Sequence, residues 1–574
     1  MVTLRAVVCV LTLVVGAGSG APTSARITLS PCTLPDVPAP AKCGTMTVLE
    51  NRVTGRGRSI QLRVVVIPAG ESPREGDAVT YFDGGPGEAA TSSAGFVFHL
   101  LSPLHRRHDI LLVDQRGTGE SSPLTCHAFG AADSLQRWLG SFLPLDAIQR
   151  CVTDLSAHAD LTVYTTNNHV DDVDDVRAAL GYPMLDITGI SYGSRAALTY
   201  LKRHADHVRA MVIQGIAPTS DFIPERFAQD AQRALYGVFA DCAAEPACHA
   251  AFPHLSDEMR SVVARLEQAP APVAIVHPVT GEIVTVTLNR DLFGEAIRYM
   301  MYSSGGASWV PAVVHAAAAG DLIPVAERAV LFRYQLLGTG TTGLYLAVTC
   351  DEDLPFVDVA KSTTLGQSTF LGNYRLRDQS AACTVWPHAA VDAHFAEPTR
   401  SAVPALVLSG QRDPVTPPEN GALAATTLSR SRHIVIPGGG HSYDGLMGTA
   451  CVDSLWLRFI ATPDPQALDT RCVAGIHRPP FPTALIWSHA IALDTAALRR
   501  FAGRFEGATT RLEHGALWLS LDGDTSRLVP IAPARFWVVG DIDATVTFSL
   551  HGDASTALIV EREGRPVRTL PAAR

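Results

Sequence analysis

A parallel α/β sheet, interrupted late by a mainly helical insertion and followed by a small antiparallel β unit, is the architecture this chain predicts. Three observations predict it. Up to about residue 217, short apolar runs ending in glycine-rich turns alternate with amphipathic stretches, the pattern of strands buried on both faces. That rhythm stops between about Pro218 and Arg400, then resumes with Ala405 to Ser409 and Ile434 to Ile436. From about Ala490 the period becomes two: Leu517, Leu519 and Leu521, then Val546, Phe548 and Leu550, with Leu558 and Val560 beyond. Asp-Gly, Gly-Asp and His-Gly turns separate these runs, so a barrel or sandwich is expected.

Taken in order, the first segment reads as an address. Arg5 is the lone early charge, Ala6 to Val15 is apolar, and small residues run from Gly16 to Ala21. Residues 1–21 are therefore expected to be a signal peptide, too short in its apolar part to span a membrane. The protein is accordingly expected to be secreted or periplasmic. Strands are expected at Gln61 to Ile67, Ala78 to Phe82 and Ile110 to Val113. A helix follows from Val170 to Leu180, with Val173, Val176 and Leu180 on one face. Its acids Asp171, Asp172, Asp174 and Asp175 read as a solvated face rather than a cation site. Met184 to Ile190 is the next strand, Ser194 to Arg203 a helix, Val208 to Gln214 a strand, and Gly445 to Ile460 a late helix. The domain divisions that follow are 32–217 and 401–482 for the two parts of the α/β core, 218–400 for a lid, and 490–574 for the β domain. The proline-rich stretch Arg478 to Pro482 marks the last linker.

Composition narrows the partners. Of 574 residues, 47% are apolar and 18% charged, which describes a globular chain. Its net charge of −10 argues against nucleic acid and against anionic membrane surfaces. Eleven cysteines are present, and ten remain once Cys9 leaves with the signal. An even number in an exported chain points to disulfides, although ten cysteines allow on the order of 900 pairings. Local spacing suggests sequential pairs: Cys32 with Cys43, Cys126 with Cys151, Cys242 with Cys248, Cys350 with Cys383 and Cys451 with Cys472. No pair has the CxxC or CxH spacing of a metal site.

The chemistry concentrates in three places. Gly189-Ile190-Ser191-Tyr192-Gly193 follows an apolar strand and opens a helix, the setting in which GxSxG lifts a serine hydroxyl above a sheet. Serine needs an imidazole base, and the base needs an orienting carboxylate. Asp413 follows the strand at Ala405, and His441 ends the turn Gly438-Gly439-Gly440 after the strand at Ile434. Both stand at carboxyl strand ends, where open α/β sheets place their sites. The turn Gly84-Gly85-Pro86-Gly87 supplies an oxyanion donor; proline has no N–H, so the expected donors are the amides of Gly85 and Tyr192. As a phosphate loop, this glycine cluster lacks the lysine and the spacing.

These motifs, with Asp114-Gln115-Arg116-Gly117-Thr118-Gly119-Glu120-Ser121 and Ser191-Tyr192-Gly193-Ser194-Arg195, resemble the α/β-hydrolase aminopeptidases. The exported tripeptidyl aminopeptidases related to proline iminopeptidase are the similar group, over roughly Cys43 to Phe481. The resemblance implies an α/β-hydrolase core with Ser191 as nucleophile, Asp413 as orienting acid and His441 as base, and no metal or organic cofactor. Asp83 departs from it, standing where the iminopeptidases carry histidine before GGPG. The family binds the substrate's free α-ammonium with lid acids, which implies Glu352, then Asp351 and Asp353; a solvated acidic turn is the competing reading. The tail is similar to a β domain appended to some bacterial serine hydrolases.

The expected function is an exported serine exopeptidase of the aminopeptidase type, with tripeptidyl release as one form of it, acting on peptides with a free N-terminus through an acyl-enzyme. Two rivals remain: a carboxylesterase on small acyl esters, and a binding protein whose hydrolase core is silent.

Overall fold

The computed structural model describes residues 27–573, apart from 73–74, 128–134, 136–138, 278–279, 390–391, 486–489, 553 and 563–566. The expected signal segment lies outside the described residues.

Strands β1 (Ser30–Cys32), β2 (Ala41–Leu49), β3 (Ser59–Ile67), β4 (Ala78–Phe82), β5 (Asp109–Val113), β6 (Leu185–Ile190) and β7 (Val208–Gln214) open the chain. A hairpin, β8 (Ala271–Val276) and β9 (Ile283–Leu288), precedes β10 (Ala405–Gly410) and β11 (Ser431–Ile436). All but the hairpin form one nine-stranded sheet in the order β1-β2-β3-β5-β4-β6-β7-β10-β11. From β5 to β11 the pairing is parallel. The first strands depart from the expected parallel sheet: β1, β2, β3 and β5 pair antiparallel. The loop between β2 and β3 is too short for the crossover that parallel neighbours need.

Alternation sends successive side chains to opposite faces. Val65 and Ile67 of β3 and Ile110 and Leu112 of β5 pack on one face, and Val64, Val66, Leu111 and Val113 on the other. Helices cover both faces, so these strands read as unbroken apolar runs.

The cap leaves the sheet after β7 and returns at β10. It is mainly helical, with Ile223–Ala244, Leu255–Gln268, Arg290–Met300, Ser304–Ala318, Ile323–Thr339 and Thr342–Glu352 its larger helices. The β8–β9 hairpin was not expected there. The alternating Ile283–Leu288 carries its signal, and Val276 shows its purpose, packing with Val529, Ile531, Trp537 and Val539 of the carboxyl-terminal domain. Arg527 Nη1 also donates to Thr280 O at 2.6 Å. The hairpin is thus the seat of the last domain on the cap.

That domain is an eight-stranded antiparallel sheet from Gly503 to Pro571. It closes on itself: Glu506 N donates to Pro571 O (3.0 Å) and Ala573 N to Arg504 O (2.8 Å). Closure removes sheet edges, and Phe501, Phe505, Phe536 and Phe548 fill the interior. The linker before it is not loose. Phe481 is buried and Arg478 stacks over its ring at 3.7 Å, while Glu245 of the cap accepts from Arg478 Nη2 and Phe481 N. Disulfides join Cys32–Cys43, Cys126–Cys151, Cys242–Cys248, Cys350–Cys383 and Cys451–Cys472.

Candidate active site

Ser191 stands between β6 and the helix Tyr192–Arg203 at φ 60°, ψ −128°. This is a strained conformation for a residue with a Cβ, and it lifts the side chain out of the turn. The flanking glycines are steric necessities. A Cβ on Gly189 would meet Gly193 O at 2.3 Å, and one on Gly193 would meet Phe82 O at 1.9 Å. The whole elbow is pressed against the end of β4.

Asp413 is fully buried, and each of its oxygens has two partners. Oδ1 accepts from Val415 N (2.7 Å) and Thr416 N (2.9 Å); Oδ2 accepts from Thr416 Oγ1 (2.7 Å) and meets His441 Nδ1 at 2.9 Å. Burial would push this carboxyl up, but His441 and the Thr416 donors outweigh it and hold it below the usual range. Arg233 of the cap donates to Asp413 O at 2.6 Å. The His441 ring lies against Tyr302 at 5.2 Å, edge to face, and beside Gly215. At φ +58° and with His441 Cε1 only 3.1 Å from where its Cβ would stand, residue 215 must be glycine.

Ser191 and His441 line one cavity of about 340 Å³, together with Gly84, Gly85 and Tyr192. Its roof is the cap: Phe227, Tyr299, Phe332, Tyr345 and Arg375 among others. Tyr299, Tyr302 and Phe332 also face a cleft of about 960 Å³ whose far wall is the carboxyl-terminal barrel. In the Gly84–Gly87 turn the Gly84 N–H donates to Asp83 Oδ1 at 2.7 Å, and the Gly85 N–H has no acceptor among the described residues. Asp83 also accepts from Ser93 Oγ at 2.6 Å. The aspartate that replaces the family's histidine is therefore a brace for the loop.

The acids expected to anchor an amine do not line this cavity. Both Glu352 oxygens accept from Thr166, from its N–H and its Oγ1, each at 2.6 Å. Thr166 Oγ1 in turn meets Tyr192 OH at 2.7 Å, and Gln115 Nε2 donates to that hydroxyl at 2.9 Å. Glu352 thus supports the elbow from behind. Asp353 pairs with the buried Arg195 (2.8 Å), and Asp351 accepts from Ala389 N (2.9 Å). The cap hands Glu352 and Asp353 to the core as structural partners, while Asp351 is held within the cap. The helix acids are likewise not a solvated face. Arg116 grips fully buried Asp172 bidentately at 2.7 and 2.8 Å, Arg52 bridges Asp172 and Asp175, Arg203 holds Asp171, and Arg177 holds Asp174.

Thr416 and Glu88 are not singled out by the sequence, and Asp83 stands out there only as a departure from the family's histidine. Thr416 had a signal, because Asp-x-x-Thr is the spacing of an Asx-type turn. Glu88 had only its place, directly after GGPG.

Two family models match the chain: alpha/beta hydrolase fold over residues 77–272, and TAP-like protein over 368–472, together more than half its length. The chain belongs to the α/β-hydrolases. Among curated relatives of this hydrolase, the tripeptidyl aminopeptidase of Streptomyces lividans is 25% identical over 471 residues, 76% of this chain and 84% of that one. Serine protease Hip1 of Mycobacterium tuberculosis is 31% identical over 228 residues, covering 37% and 43%. Carboxylesterase B of the same organism is 26% identical over 468 residues, covering 75% and 86%. The hydrolase is an enzyme of the serine type.

Proposed function

We propose that this hydrolase is an exported serine exopeptidase that acts on peptides from a free N-terminus through an acyl-enzyme. One observation carries the reading: Ser191, on its strained elbow, shares a capped cavity with a histidine that a fully buried aspartate holds at 2.9 Å. His441 takes the Ser191 Oγ proton as the oxygen bonds to the substrate carbonyl carbon. The carbonyl oxygen, now anionic, is met by the amides of Gly85 and Tyr192. His441 passes the proton to the leaving amine as the C–N bond breaks, and water repeats the sequence to free the acyl group. Asp413 keeps the imidazole oriented and offsets its positive charge. The roof over Ser191 favours a chain end over the middle of a polypeptide. The likeness to the Streptomyces aminopeptidase supports the peptidase class, and five disulfides support an oxidising compartment.

The esterase reading draws on the mycobacterial carboxylesterase relative. The deciding experiment compares free-amine peptides, N-acetylated peptides and simple acyl esters, with fluorophosphonate labelling of wild type and Ser191→Ala alongside. Labelling lost with Ser191→Ala and cleavage of free-amine peptides are expected. Ester hydrolysis without any peptide cleavage would overturn the exopeptidase, and absence of labelling in folded wild type would overturn the catalytic serine.

A further inference from the structure

Five carboxylates line the cavity that holds Ser191, and four of them already have donors. Asp83 holds Ser93 and Gly84; Asp221 accepts from Asn420 Nδ2 (2.7 Å); Asp230 accepts from Arg226 (3.2 Å); Glu295 pairs with Arg333 and accepts from Tyr374 OH (3.1 Å). The fifth, Glu88, has no hydrogen-bond or ion-pair partner among the described residues. A half-buried carboxylate with no donor carries a desolvation cost, opposed in the free enzyme only from a distance by His441. A cation arriving with the substrate would offset it.

Its position says which cation. An ideal Cβ on Gly84 would stand 3.4 Å from Glu88 Oε2 and 3.6 Å from Ser191 Cβ. The carboxylate is therefore within about 7 Å of the nucleophile's Cβ. In an amino acyl group the α-nitrogen lies roughly 2.5 Å from the carbonyl carbon, and an ammonium–carboxylate contact adds about 2.8 Å. The residue under attack can thus bring its own ammonium to Glu88. In an extended tripeptide the ammonium would stand roughly 7 Å farther out.

We propose that Glu88 binds the α-ammonium of the very residue whose carbonyl Ser191 attacks, so that the enzyme releases amino acids one at a time. The proposal rests on the exopeptidase reading above, and it departs from the tripeptide release that names the Streptomyces relative. The groups facing Glu88 agree with it. Burial first, then Asp83, push its carboxyl up to about 7, with His441 opposing; Tyr81 of β4 and Tyr299 of the cap feel its charge from either side. An arriving ammonium would restore the ionised form, so KM for free-amine substrates should rise as pH falls below about 7, while that for N-acetylated substrates should show no such rise.

The test uses full-length enzyme with Ala-p-nitroanilide, its N-acetyl derivative and Ala-Ala-Ala-p-nitroanilide, on wild type, Glu88→Gln and Glu88→Asp. Wild type should cleave the single-residue substrate and liberate free alanine first from the tripeptide substrate. Glu88→Gln should reduce the free-amine to N-acetyl ratio of kcat/KM by about 10- to 100-fold, and Glu88→Asp by less. An unchanged ratio in a fluorophosphonate-reactive Glu88→Gln would overturn the proposal. Release of intact Ala-Ala-Ala by wild type would overturn the single-residue register. A changed preference for the leaving group with the ratio intact would place Glu88 on the other side of the scissile bond and also overturn it. Should Glu88→Gln fail to label, Glu88→Asp decides by the same ratio. Wild type that labels but cleaves no free-amine peptide would instead sink the exopeptidase reading, whatever Glu88 does.

Discussion

At the end of the helix Thr342–Glu352, three consecutive acids are each engaged: Asp351 by the Ala389 amide within the cap, Glu352 by Thr166 of the core and Asp353 by Arg195 of the core. Across the elbow, Glu88 faces the cavity with no hydrogen-bond or ion-pair partner among the described residues. Both regions are acidic, both are sheltered, and both lie close to Tyr192 or Ser191. What separates them is whether a donor is present at all: each of the three cap acids has one, although Asp351 Oδ2 and Asp353 Oδ2 are left without, whereas Glu88 has none among the described residues. A carboxylate given a donor from within the chain stabilises the fold; one left open at a cavity wall is available to a ligand.

Four substitutions and one titration bear on that contrast. Ser191→Ala sets the floor against which any anchor is measured: kcat/KM should fall by about 10⁶-fold, measured with the best free-amine substrate. Asp413→Asn should lower it by about 10⁴-fold, because the amide cannot hold the imidazole tautomer that the carboxylate holds. On the structural side, Arg195→Met leaves Asp353 buried without its partner and should cost about 3–5 kcal/mol in urea unfolding. An unfolding loss under 1 kcal/mol there would mean that the Arg195–Asp353 pair carries little of the cap–core contact. Glu352→Gln exchanges one of two acceptors for a donor and should cost about 1–3 kcal/mol. Its preference for free-amine over N-acetylated peptides should remain within about twofold of wild type. If that preference collapses, Glu352 is the anchor and the contrast with Glu88 is wrong.

The smallest effect is a slope against pH. Burial pushes Glu352 and Asp186 up to about 8 and Glu327 to about 7. These groups hold protons in the folded chain that they release on unfolding, so stability should fall as pH rises from about 4.5, where the unfolded carboxyls ionise, to about 8. Melting temperatures across that window check the sign, and Glu352→Gln should flatten part of the slope.

The legible parts of this molecule are those set by local sterics. Gly189 and Gly193 announce themselves because a side chain there would strike backbone of the elbow itself or of the adjoining strand end, whereas Gly440, before His441, is kept clear for Met301 and Tyr302 of the cap. Asp413 and His441 could be named because strand ends can be counted along the chain. The acids could not be sorted that way. Glu352 meets Thr166 and Asp353 meets Arg195, pairings more than 150 residues apart in sequence, and Asp172 depends on Arg116 and Arg52. Spacing within the helix Thr166–Leu180 shows only that several acids share it, not which arginines the sheet brings up to them. The β8–β9 hairpin was hidden differently, by its position among helices, although its own alternation was plain.

From Cys32 onward, each of the five bridges joins one cysteine to the next along the chain, and no bridge spans another. A polypeptide emerging amino end first therefore never presents more than one waiting thiol before its correct partner arrives. Order of emergence alone selects this pairing from the hundreds available, and closing each loop requires at most 33 residues of separation. Oxidation in step with export would reach this connectivity without passing through a scrambled one, leaving a shuffling catalyst nothing to correct.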